Sequence, residues 1–227
     1  MPVNDRKEHM PTTDRLRRLL PLSGVLFTAV LATGLALTAN EPDNSASKAD
    51  IYAYWHSHHG VQLFSSLILI PFGMLFLLAF AAELRRALRS GEAGEALYSP
   101  IALAGGIAAA VGLGVTGSLG AAVATAANHR EVDATYTLAQ LQSYDWVPWM
   151  AGFGVLLLAS GIGGLRTRAL PRPIAIAGLL LGFACLTPVG FFALFALPVW
   201  ILVTSLALYR AQNPSRLRAH RTAPQAG

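Results

Sequence analysis

The ligand-type side chains of this chain gather in a few places. His56, His58 and His59 stand just before one apolar run and His129 just after another, with Asp50, Glu131, Asp133 and Asp145 in neighbouring segments. On a helix, positions three apart share a face, so His56 and His59 would present two imidazoles side by side. With His129 as a further ligand, that set suits a zinc or copper ion. The alternative is a wet interfacial helix whose histidines sit among lipid headgroups. No HExxH or comparable motif accompanies them.

Elsewhere reactive groups are scarce. The membrane-length runs drawn below hold no Asp, Glu, Lys, Arg or His, which argues against a proton-coupled pump, a voltage sensor or a retinal protein. Haem between helices would lack its axial histidines. Cys185 is the sole cysteine, so neither an internal disulfide nor a thiolate metal cluster can form. Beyond zinc or copper, no cofactor is expected.

The elements that must position these residues are membrane helices. Hydrophobic residues make up 54% of the 227 positions and charged residues only 13%, and the mean hydropathy is +0.49. A soluble domain carries nearer a quarter charged residues. The pI near 9.8 reflects basic clusters beside apolar runs, an orientation pattern rather than nucleic-acid binding. Apolar runs cover Leu22–Ala39, Val61–Ala82, Ile101–Ala127, Val147–Leu165 and Ile174–Leu208. A crossing needs about 20 residues. The last run is too long for one, and Thr187, Pro188 and Gly190 divide it into Ile174–Thr187 and Val189–Leu208, joined by a tight turn. With six spans, all of the 17 basic residues but Lys48 and Arg130 fall on the cytoplasmic side. The expectation is an all-α, polytopic bundle of six transmembrane helices with both termini cytoplasmic. A basic segment covers 1–18, the membrane domain 19–210 and a disordered basic tail 211–227. The first run is read as a retained span rather than a cleaved signal peptide, for it lacks a clean small-x-small site.

Two segments outside the spans read as short amphipathic helices on the outer face. Ser47 and Asp50 have capping-box spacing ahead of Ile51, Tyr52 and Trp55, and Asp133 would cap a second helix bearing Leu138 and Leu141. The two are expected to meet above the bundle. Ser99-Pro100 reads as a cap and first-turn proline for the third span. Within that span Gly106, Ala110, Gly114 and Ser118 recur every four residues, beside a second stripe of Gly112, Thr116, Gly120 and Ala124. Small residues at that spacing allow close backbone approach, so the third span should be the most enclosed helix. Pro71 and Gly73 are placed to kink the second span, and Pro198 the last.

DIYAYWHSHHG at Asp50–Gly60, AFAAELRRALR at the end of the second span, TLAQLQSYDW, RTRALPRP and LPVWILVTSLALYR follow one another in order. Together they resemble six-helix membrane proteins of unknown function common in actinobacteria, over about Leu16–Arg210. The resemblance implies a bacterial cytoplasmic membrane and supplies no catalytic residues. His58-His59-Gly60 resembles that family's His-Arg-Gly with His59 in place of arginine, a departure that weakens the case for the histidine triplet as a site of that family. Three functions stay open. The first is a non-enzymatic packing or regulatory partner of another membrane or envelope component, or a homo-oligomer. The second is a carrier or channel for an apolar or neutral solute. The third is a metal-dependent enzyme at the outer face.

Overall fold

The computed structural model describes residues 19–212 except 44, 95, 188 and 189, and not the side chain of residue 191. The basic segment 1–18, most of the tail and the two central residues of the last turn lie outside the described residues. Those described form helices and no strand. A 3-10 turn, Leu20–Leu22, leads into α1 (Ser23–Leu37). α2 (Lys48–Phe64) passes through a π turn, Ser65–Leu69, into α3 (Ile70–Gly91). α4 (Tyr98–Asn128), α5 (Val132–Gln142), α6 (Trp146–Thr167), α7 (Arg172–Cys185) and α8 (Gly190–Gln212) follow.

Neighbour packing closes a ring: α1 against α3, α3 against α4, α4 against α6, α6 against α7, α7 against α8, and α8 back against α1. Its centre is filled by Phe27, Leu77, Phe80, Leu84, Phe153, Leu157, Leu197, Trp200 and Ile201. Trp200 donates its indole N–H to Ile174 O at 2.8 Å, tying α8 to the start of α7. The outward faces are apolar: Phe192 is 72% exposed and Leu180 68%. Five helical stretches are long and apolar enough to cross a membrane, namely Leu20–Leu37, Lys48–Gly91, Tyr98–Asn128, Val132–Thr167 and Phe192–Gln212. α7 has 14 residues and is about 21 Å long.

The structure departs from the sequence reading in several places. The segment carrying the histidine triplet is not a separate surface helix. It continues through the π turn into α3 as one 44-residue helix. Pro71 has no N–H to give Leu67 O, and its ring crowds that carbonyl. The backbone relieves this just upstream with the wider turn, in which Ile70 N–H donates to Ser65 O. The Ser47 cap holds, accepting from Asp50 N at 3.2 Å. Asp133 caps nothing; it pairs with Lys48 and joins the starts of α5 and α2. α4 begins at Tyr98, one residue before Ser99, because Glu92 does the capping. Its carboxylate accepts from Tyr98 N, Ser99 N and Ser99 Oγ at 2.7, 2.9 and 2.7 Å.

α4 packs against four helices, α2, α3, α5 and α6. It is nevertheless not the most enclosed: 39% of its most apolar window is buried, against 61% for the Val132–Thr167 stretch. The tightest seam lies between the two. A Cβ on Gly105 would stand 2.4 Å from Leu156 N, on Gly112 2.5 Å from Trp149 N, and on Gly152 2.2 Å from Ala109 N. Of the predicted stripe, Gly106 and Ala110 are buried, Gly114 is half-buried against Met74, and Ser118 is exposed.

Candidate functional site

The two segments read as amphipathic helices do meet. Ile51 and Trp55 of α2 pack on Val123, Ala124 and Ala127 of α4, with Tyr136, Leu138 and Ala139 of α5 alongside. This is the end of the ring where α1 and α4 finish and α6 begins. His56 Nδ1–H donates to Ala127 O at 2.9 Å, His59 Nδ1–H to His56 O at 2.8 Å, and His58 Nδ1–H to Tyr54 O at 2.9 Å. Each ring is thereby held to a backbone carbonyl. The His56 and His59 rings lie stacked with centroids 6.2 Å apart. His129 is exposed and lines a separate shallow groove with Glu131, Leu63 and Leu138. Among the described residues, no three His, Cys, Asp or Glu side chains are grouped to hold a metal ion.

A different site lies within the ring at the same end. A cavity of about 180 Å³ is bounded by Phe27, Val30, Leu31, Gly34 and Leu35 of α1, Leu69 of the π turn and Ile70 and Gly73 of α3, Leu113 of α4, and Leu194 of α8. Its walls are apolar. Polar groups collect at one side: Thr38 after α1, Ser65 in the π turn, Thr116 of α4, Asp145 at the start of α6 and Trp149 one turn later. Among the described residues, no lysine, arginine or histidine lines it. Neither proline that sequence marked as a kink lines it, but residues whose backbone each proline perturbs do. The π turn below Pro71 contributes Ser65 and Leu69, and Pro198 lacks the N–H that would bond Leu194 O.

The polar side carries strained electrostatics. Burial pushes the Asp145 carboxyl up from 3.8 to about 6, against a hydrogen bond from Thr116 that favours its ionised form. Glu41, in the segment after α1, is pushed from 4.5 to about 7, by burial first and then by the charge of Asp145. Asp145 ionises first, and its charge then opposes Glu41. Burial, and then the charge of Glu41, raise the Tyr54 phenol, whose oxygen accepts from Gln62 Nε2 at 3.1 Å. Asp145 Oδ2, Trp149 Nε1 and Gln142 Oε1 are buried atoms without a hydrogen-bond partner. Buried polar atoms are nearly always paired, so three orphans in one short stretch are unusual.

Sequence reading placed Asp145 among the acids of this end and passed over Glu41. Nothing local marks Glu41, because its neighbour Asp145 is more than a hundred positions away. A second buried acid escaped the drawn spans by one residue. Glu83 is 1% exposed in α3, accepting from Arg86 Nη1 at 2.5 Å and Gln212 Nε2 at 3.3 Å, which ties the far ends of α3 and α8 together. Comparison of the chain with protein-family models, with curated proteins and with solved structures gives no match to any of them.

Proposed function

We propose that this chain is a six-span protein of the bacterial cytoplasmic membrane, both termini inside, that holds or carries a small and largely apolar solute in the ring cavity. The observation that carries the reading is the cavity itself: apolar walls from four helices and the π turn, and a single polar side. Ligand sites commonly combine apolar walls with a few placed polar groups. At about 180 Å³ the space matches a single aromatic ring or a short hydrocarbon, since a protein cavity of about 150 Å³ takes up benzene. The exposed apolar faces support immersion in lipid, from which such a solute would come.

Gly34 offers a clean test. It lines the cavity, and a Cβ built there meets nothing within 4 Å. Gly34→Leu would therefore occupy the space without displacing backbone, and it removes a helix-interior glycine besides. Calorimetric titration of toluene into the protein in phosphatidylcholine nanodiscs, with empty nanodiscs subtracted, should show saturable binding. The variant should keep its thermal stability and lose the binding. Equal uptake by both proteins would end the reading.

A further inference from the structure

We propose that the cavity selects a solute with one hydroxyl group, an apolar alcohol whose oxygen lies between Asp145 Oδ2 and Trp149 Nε1. This rests on the cavity reading above and names the head group the cavity would take. Asp145, at the N-terminus of α6, and Trp149, one helical turn on, both line the cavity, and their orphaned atoms lie covered behind its wall, where a ligand reaches them as the side chains shift. Their orphaned atoms are complementary. Asp145 Oδ2 is an acceptor and Trp149 Nε1 can only donate. A hydroxyl is the smallest group that donates through its hydrogen while accepting on its lone pairs, so one oxygen satisfies both. An ammonium would pair with Asp145 and leave the indole N–H unmatched. A carboxylate or phosphate would accept from Trp149 but meet Asp145 and Glu41, with no basic side chain among the described lining residues to offset them. A bare hydrocarbon would leave both atoms unsatisfied, each at the cost of a lost hydrogen bond.

The groups acting on Asp145 come from several elements. Thr116 of α4 hydrogen-bonds it. Glu41 interacts with it across the end of α1, and Tyr54 of α2 stands behind Glu41. A hydroxyl hydrogen bonds more strongly to a carboxylate than to a carboxylic acid. Alcohol binding should therefore tighten as Asp145 ionises.

Four probes with one ring separate the possibilities: toluene, benzyl alcohol, benzylamine and benzoate, each titrated calorimetrically into the full chain in phosphatidylcholine nanodiscs at pH 8. Benzyl alcohol should bind about tenfold more tightly than toluene, the worth of one good hydrogen bond or two modest ones. Benzoate should bind more weakly than either. Trp149→Phe removes the donor, so it should bring the ratio of alcohol to toluene affinity towards one, whatever the change in wall volume does to both ligands alike. In the unaltered protein, alcohol affinity should rise between pH 5 and pH 8 and toluene affinity stay flat, a readout that holds even if the variant folds poorly. Toluene binding without an alcohol preference would overturn the head-group assignment and leave the cavity reading standing. Benzylamine binding most tightly would overturn it in favour of a cation site, and an alcohol affinity flat or falling with pH would remove Asp145 from the recognition. Binding of none of the four would sink both readings.

Discussion

At the scale of single residues, the most consequential feature is a pair of carboxyls in a place that disfavours their charge. Asp145 goes from 3.8 to about 6 and Glu41 from 4.5 to about 7, burial being the larger cause for each. Both acids thus hold a proton more tightly in the folded chain than in the unfolded one. Folding takes up protons between the two values, so the stability they contribute is complete below pH 4 and is lost as the pH rises towards about 7. Asp145→Asn cannot ionise and should flatten this decline. Thermal unfolding in detergent, compared for the two proteins at pH 4.5 and pH 7.5, should show the variant gaining on the original at the higher pH. The gain should be on the order of 1 kcal/mol, with solvent screening at this partly exposed group taken into account. A variant that tracks the original at both pH values would mean that Asp145 is solvated as it would be in the unfolded chain. Sequence could place Asp145 near a membrane boundary. It could not bring Glu41 to it, since that meeting depends on α1 ending where α6 begins.

At the scale of elements, hydropathy and charge located the helices well and their contacts less well. The long final run does break, α7 ending at Cys185 and α8 starting at Gly190, whose N–H donates to Thr187 O at 2.9 Å. The small-residue stripes of α4 pointed to close packing, and four-residue spacing alone could not say which stripe meets a backbone. Gly114 faces the flexible end of Met74, with a Cβ 3.2 Å from Met74 Cε. Gly152 on α6 faces the backbone of α4 and is the stricter position. A flexible thioether can move aside, but two packed helix backbones must separate. Gly152→Ala should therefore destabilise by about 2 kcal/mol or more, and Gly114→Ala by about 1 kcal/mol or less. Detergent thermal denaturation of the two variants checks the order, and a reversal would place the α4–α6 seam elsewhere. The merger of α2 with α3 was also illegible. Amphipathicity distinguishes the histidine segment from the span, but the chain needs no loop where Pro71 is absorbed by a π turn.

At the scale of the whole molecule, the ring has two chemically distinct ends. Gly91 at the end of α3 lies against Thr167 at the end of α6. Arg166 sits over the Tyr98 ring at the start of α4, 5.4 Å from its centroid, and Gln212 of α8 reaches Glu83 of α3. Arg85, Arg86, Arg89, Arg166, Arg168 and Arg210 accordingly gather near one end. The opposite end holds the histidines, the cavity and the α7–α8 turn, since Gly190 packs against Met150 in the first turn of α6. Helices that alternate in direction around a closed ring require this arrangement, and the arginine-rich end of a membrane protein faces the cytoplasm. The cavity would then open towards the outer half of the bilayer. α7 tests the idea most severely, because about 21 Å is short of a hydrocarbon core of about 30 Å. Its flanks extend the apolar length through Leu186 on one side, while Arg172 at the other can snorkel to the headgroups. Reporter fusions placed after Leu165, at Gly190 and after Arg210 should read inside, outside and inside. If the fusion at Gly190 reads inside while the other two are unchanged, α7 and α8 form a re-entrant pair rather than two spans. The six-span count, and the outward-opening cavity that depends on the turn lying outside, would then have to be given up.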